Sequence, residues 1–91
     1  MKVSFYATLR PIVGERTVEL PLPEGATVGA LVAELARRWP ALCEHLFDDE
    51  GRLSRRVNLF VDGRNVRWLQ GMETPLSPDR TVDVFPPVAG G

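Results

Sequence analysis

The stretch Thr27-Val28-Gly29-Ala30-Leu31-Val32-Ala33-Glu34-Leu35-Ala36-Arg37-Arg38-Trp39 sets Val28, Leu31, Val32, Leu35 and Trp39 at the spacing of a helix with one apolar stripe. Thr27 is a good N-cap, Arg37 and Arg38 suit the negative C-terminal end, and Pro40 prevents simple continuation. A helix of this kind has to bury its stripe against a second layer. The sequence on either side supplies that layer as strands.

Upstream, Lys2 to Thr8 alternates, with Val3, Phe5 and Ala7 on one side and Lys2, Ser4, Tyr6 and Thr8 on the other, as a half-buried strand does. Thr17 to Leu22 repeats the pattern with Val18, Leu20 and Leu22 inward. Pro11 and Gly14 mark a turn between them, so an N-terminal hairpin is the simplest pairing. Downstream, Pro40 opens a short second helix through Phe47, with Leu42 and Leu46 one turn apart. Asp48-Asp49-Glu50-Gly51 ends it and reads as a solvated turn. Val57 to Val61 is a third strand, Asp62-Gly63 a turn, and Arg64 to Leu69 a short edge strand. Gly71, Pro75 and Pro78-Asp79 describe a loop, and Thr81 to Phe85 is the last strand, with Val82 and Val84 inward. This order predicts an α+β domain with a mixed sheet and one main helix packed on one face. The domain is expected over residues 1–85, with an extended tail over 86–91.

The chain has 91 residues, 44% apolar and 25% charged, which suits one folded domain and leaves no room for a cleft between two. Eleven basic residues against 12 acidic ones leave no bulk field for nucleic acid. The pairs Arg37-Arg38 and Arg55-Arg56 read as solvated faces or as a local basic patch. The single cysteine, Cys43, excludes an internal disulfide and fits a reducing compartment, the cytoplasm by default. No signal peptide or membrane span is expected.

Strand alternation carries further information. If Val57, Leu59 and Val61 point at the helix, Asn58 and Phe60 must point away from it, where a domain this small has no second layer. The same reasoning turns Phe85 outward with Thr81 and Asp83, and Tyr6 outward on the first strand. Aromatics sharing one solvent-facing surface form a partner-binding anchor. Aromatics that are separate merely shield the sheet. The anchor reading is preferred for Phe60 and Phe85, and less firmly for Tyr6.

The sequence closes Asp83-Val84-Phe85-Pro86-Pro87-Val88-Ala89-Gly90-Gly91, a strand followed by a stiff Pro-Pro segment and then by very small residues. Gly90 and Gly91 have no Cβ, so such a tail can enter a narrow channel and deliver its carboxylate to an active site in another protein.

Ala7-Thr8-Leu9-Arg10, Val18-Glu19-Leu20, Gly25-Ala26-Thr27-Val28 and the ending Phe85 to Gly91 together resemble the MoaD/ThiS family of ubiquitin-like sulfur carriers over nearly the whole chain. The ending looks like that of a molybdopterin synthase small subunit. Leu9-Arg10-Pro11, Val57 to Asp62, Asn65 to Trp68 and Gly71-Met72 look more like the CysO type of carrier, which serves cysteine synthesis, and like archaeal small modifiers. The resemblance implies a β-grasp fold. It also implies that the chain is a co-substrate and not an enzyme, with no bound cofactor. A ubiquitin-activating-type adenylyltransferase would join the Gly91 carboxylate to AMP using ATP, a sulfur donor would displace AMP, and the thiocarboxylate would serve an acceptor synthase. Gly90 would help thread the tail, while Phe85, with Pro86, Pro87 and Val88, would contact partners. The resemblance leaves open whether the sulfur goes to molybdopterin, cysteine or another sulfur metabolite. The alternative is a modifier conjugated through Gly91 to target lysines.

Cys43 and His45 lie two positions apart on a helix and face different directions, so Cys43 is read as a buried or partly buried structural residue. One histidine cannot build a metal site, and none is expected. Arg67 and Trp68 are open to two readings, a stacked contact with a ligand or partner and a tryptophan packed over the core edge.

Overall fold

The computed structural model describes residues 1–86. Helix α2, Val28–Arg38, begins as its sequence requires, because the Thr27 side chain accepts a hydrogen bond from the Ala30 amide at 3.2 Å. Its stripe of Val28, Leu31, Val32 and Leu35 has no exposed surface. At the other end Glu34 takes the Arg37 guanidinium through two nitrogens and also pairs with Arg38, so that basic pair is a solvated face satisfied within the helix.

The stripe packs on a five-stranded mixed sheet of order β2-β1-β5-β3-β4, formed by β1 Lys2–Phe5, β2 Thr17–Glu19, β3 Asn58–Val61, β4 Arg64–Asn65 and β5 Thr81–Phe85. β1 pairs antiparallel with β2 and parallel with β5, which in turn pairs antiparallel with β3. This is the expected β-grasp arrangement. Val3, Phe5, Leu59, Val61, Val82 and Val84 fill the helix-facing side. Trp39 closes the core against Phe5, edge to face at 6.2 Å.

Several element limits differ from expectation. β1 stops at Phe5, and Ala7 and Thr8 are exposed; Leu9 goes into the core instead. The chain turns here through a 3-10 turn, Ala7–Leu9, into the single helical turn α1, Arg10–Val13. Gly14, at φ 87°, ends α1, so the hairpin connection is helical. β2 is shorter than expected because Pro21 lacks an amide to donate, although Leu20 stays buried. β4 ends at Asn65, whose side chain accepts from the Arg67 amide at 2.9 Å and starts a 3-10 turn, Val66–Trp68. The short second helix is present as a 3-10 turn, Pro40–Leu42, running into α3, Cys43–Leu46. There Leu42 and Leu46 face inward, which leaves Cys43 exposed and corrects the buried reading.

Residues Gly71 to Leu76 clamp the start of α2. The Thr74 carbonyl accepts from Val28 N at 2.9 Å, and Leu76 N donates to the Ala26 carbonyl at 2.7 Å. Thr74 is the one buried polar residue among the described ones. Its hydroxyl donates to the Gly71 carbonyl at 2.8 Å and accepts from Gln70 N at 3.0 Å. Replacing Thr74 with Val keeps the shape and leaves the Gly71 carbonyl its bond from the residue 74 amide at 3.1 Å but strands the Gln70 amide, so it is expected to cost about 1 kcal/mol, read as a lower urea midpoint at unchanged m-value.

No helix among the described residues is long and apolar enough to cross a membrane.

Candidate functional site

The face of the sheet away from α2 carries the outward residues of β1, β5 and β3. Parallel register sets Ser4 beside Asp83 and Phe5 beside Val84, so Tyr6, which continues β1 by donating its amide to the Val84 carbonyl, comes level with Phe85. Antiparallel register sets Asn58 opposite Phe85 and Phe60 opposite Asp83. Side chains one or two positions apart on neighbouring strands are within contact range. The Tyr6 and Phe85 rings stack at 4.2 Å with an 8° tilt, and Phe60 meets Phe85 edge to face at 5.4 Å and 86°. All three are half-buried, largely by each other. The aromatics therefore form one ladder, and the reading that they shield separate places fails.

Two polar groups fix the Tyr6 end. The Tyr6 hydroxyl donates to an Asp83 carboxylate oxygen at 2.8 Å. The Arg10 guanidinium lies 5.5 Å from the Tyr6 ring centre while its Nε donates to the Phe5 carbonyl at 2.9 Å. Phe60 and Phe85 border a surface depression of 420 Å³ with Asn58, Gly63 and Asp83. The aromatic face is thus held in shape before anything binds, which lowers the ordering cost of docking. Asp83 and Arg10 were not singled out as site residues from the sequence. Alternation does place Asp83 on this face, but its pairing with Tyr6 depends on a register between strands far apart in the chain.

The hydrogen bond to Asp83, helped by burial and by the carboxylate's charge, raises the Tyr6 pKa above the ordinary phenol value, and Arg10 opposes it. Folding therefore favours the neutral phenol. That contribution is complete below the unfolded pKa of about 10 and is lost as pH rises through the folded value. Tyr6 is the chain's one tyrosine, so the phenolate absorbance reports it alone. Asp83→Asn is expected to move that titration down toward the ordinary value, and an unmoved titration would contradict the hydrogen bond.

The ladder lies at the end of β5 from which the chain continues. Pro86, directly after Phe85, is buried. Pro87, Val88, Gly90 and Gly91 lie outside the described residues. The remaining candidates do not join the ladder. Cys43 is exposed on α3 and His45 is half-buried. Arg67 donates from one guanidinium nitrogen to the carbonyls of Ser54, Arg55 and Val57, so it ties two loops together. Trp68 is 85% exposed and does not pack over the core edge. Among the described residues no three His, Cys, Asp or Glu side chains form a group able to hold a metal ion.

Residues 3–91 match the family model described as ThiS family. Small archaeal modifier protein 3 of Haloferax volcanii is 37% identical over 91 residues, covering 100% of this chain and 98% of that protein. The sulfur carrier protein CysO of Mycobacterium tuberculosis is 34% identical over 92 residues, covering 98% of this chain and 96% of that one. A chain in the crystal structure of the Amycolatopsis orientalis BexX/CysO complex superposes with a TM-score of 0.82 at 32% identity, covering 99% of this chain and 98% of that chain.

Proposed function

The chain belongs to the ThiS family of small sulfur carriers, and we propose that it carries sulfur as a thiocarboxylate on Gly91, using the aromatic ladder to dock on the enzymes that load and unload it. The observation that carries this reading is the stacked set Tyr6, Phe85 and Phe60, built at the point where β5 hands over to the segment ending in Gly90-Gly91.

A carboxylate is a poor electrophile and needs a better leaving group before sulfur can replace its oxygen. In the proposed sequence a Gly91 carboxylate oxygen attacks the α-phosphorus of ATP on an adenylyltransferase of the ubiquitin-activating type, and pyrophosphate leaves. Hydrosulfide, or a donor at the same oxidation level, then attacks the acyl carbon and AMP leaves. The resulting thiocarboxylate sulfur is acidic and nucleophilic, fit to attack an activated carbon on an acceptor synthase. The carrier is a co-substrate whose own side chains supply binding and no chemistry. It binds no cofactor of its own, since ATP belongs to the activating partner. Phe85 and Phe60 provide the contact surface, the buried Pro86 fixes where the tail leaves it, Pro87 and Val88 span to the partner's active site, and Gly90 passes its narrowest part. The reducing cytoplasm suits this sulfur chemistry and the single cysteine.

The acceptor is read as a synthase of cysteine, molybdopterin or another sulfur metabolite. The match to CysO favours cysteine, and co-purification with a cysteine-synthase-like enzyme would choose it.

The match to an archaeal modifier supports a second reading, in which the same activated Gly91 forms an isopeptide bond with lysines of other proteins. Incubation with the activating enzyme, ATP and sulfide, followed by electrophoresis through an organomercurial gel, separates the two. A thiocarboxylate is retarded by mercury and shows carriage, whereas higher-mass adducts resistant to reductant show conjugation. Neither product, with a competent activator, would remove both readings.

A further inference from the structure

Trp68 and Leu69 are the exposed large apolar residues among those described, Trp68 at 85% and Leu69 at 37%. They sit in and just after the turn following β4, where Arg67 is anchored by its carbonyl contacts to Ser54, Arg55 and Val57. A single exposed apolar side chain is ordinary, but an indole presented on a held turn is also the side chain most enriched at binding hot spots.

The surroundings say what kind of partner. Arg55, Arg56 and Arg64 make no ion pair among the described residues, whereas Arg37, Arg38, Arg52 and Arg80 do. Glu73 is the carboxylate on the adjoining Gly71–Glu73 turn. The strip around Trp68 therefore sets guanidinium groups that make no ion pair beside an exposed aromatic, the residue types most enriched at binding hot spots, with Asp48 near enough to Arg55 to feel its charge. Their complement is an acidic protein surface with an apolar recess.

The position of the strip says which partner. β3 starts at Asn58, opposite Phe85, and Arg67 holds the Val57 carbonyl one residue earlier at 3.1 Å. Asn65 Nδ2 also donates to Asn58 Oδ1 at 3.3 Å. The Arg55 to Val57 strip and its Trp68 turn thus lie at the end of the sheet from which the tail leaves. β4 is two strands from β5, about 10 Å, and one side of an ordinary interface, about 800 Å², is roughly 30 Å across. A protein that covers the aromatic ladder to take the tail has to reach only two strands further to meet the Trp68 turn.

We propose that Trp68 with Arg55 and Arg56 forms a second contact for the adenylyltransferase that activates the tail, meeting carboxylates at the rim of its carrier site. The proposal rests on the carrier reading. The arginines supply attraction and orientation, and Trp68 supplies the buried contact. A modest affinity at the ladder is thereby extended around the tail exit by a charged edge that discriminates between partners.

The test uses the full chain with the adenylyltransferase of the same organism, following pyrophosphate release from ATP. Trp68→Ser and the double variant Arg55→Glu with Arg56→Glu change exposed side chains, and matched urea midpoints check the fold. Each is expected to raise the carrier's KM about tenfold or more at nearly unchanged kcat. The charge-reversal effect is expected to shrink as salt is added, because rim charges are screened. An unchanged KM for both variants, with wild type turning over, overturns this contact and leaves the carrier reading standing. No turnover of wild type by an activator shown to be competent overturns the carrier reading and this contact with it. A wild-type dimer in sedimentation that Trp68→Ser converts to monomer assigns the surface to a second copy of the chain and overturns the proposal as well.

Discussion

Phe85→Ala is expected to raise the KM for the activating enzyme about 30-fold, the effect of losing a central aromatic contact worth about 2 kcal/mol. Phe85 is the middle rung: one face stacks on Tyr6 at 4.2 Å and it meets Phe60 edge to face at 5.4 Å. Without it Tyr6 and Phe60 share no aromatic neighbour and the docking surface loses its centre. The domain itself should survive, since the inward residues of β5, Val82 and Val84, are fully buried and keep their contacts. The loss is confined to ring stacking and part of a half-buried side chain, about 1–2 kcal/mol. Because Gly91 is untouched, kcat is expected to hold within about twofold once the carrier is bound. An unchanged KM in a folded variant would remove the ladder from the docking surface.

Deletion of Gly91 is expected to give the opposite division. The docking surface remains, so KM stays near wild type, but the terminal carboxylate falls one residue short, about 3.5 Å. Misplacement by about 1 Å already costs near 100-fold in an aligned displacement, so pyrophosphate release should drop at least that far, toward background. The two variants separate affinity from chemistry. If deleting Gly91 left kcat intact, the reacting group would not be this carboxylate.

The chain's local patterns gave more of this picture than its long-range ones. The spacing of Val28, Leu31, Val32 and Leu35 and the Thr27 cap specify α2 because each is a contact within a few residues, and the structure shows them as read. Alternation likewise turned Phe60, Phe85 and Tyr6 to one side of the sheet, since side-chain direction in a strand has period two. It could not show that they stack, because that needs the parallel register of β1 on β5, between residues nearly the whole chain apart. The limit of β1 was misread at Ala7 for a related reason. The alternation continues on paper, but the chain bends into α1 and offers Leu9 to the core instead. Trp68 is a third case, in which the residues left two readings open. Hydrophobicity alone favours burial, and the choice is decided by a turn that the local Asn65 cap starts and the tertiary Arg67 anchor holds, with the indole in water.

The central claim, that this chain carries sulfur on its terminal carboxylate, is tested most directly by intact-protein mass spectrometry after incubation with the cognate adenylyltransferase, ATP and sulfide. The account predicts a mass gain equal to replacing one oxygen by sulfur, localised to the peptide ending in Gly90-Gly91 and absent when Gly91 is deleted. An unchanged mass with an activator that consumes ATP on another carrier, or the same gain in the chain lacking Gly91, would contradict it.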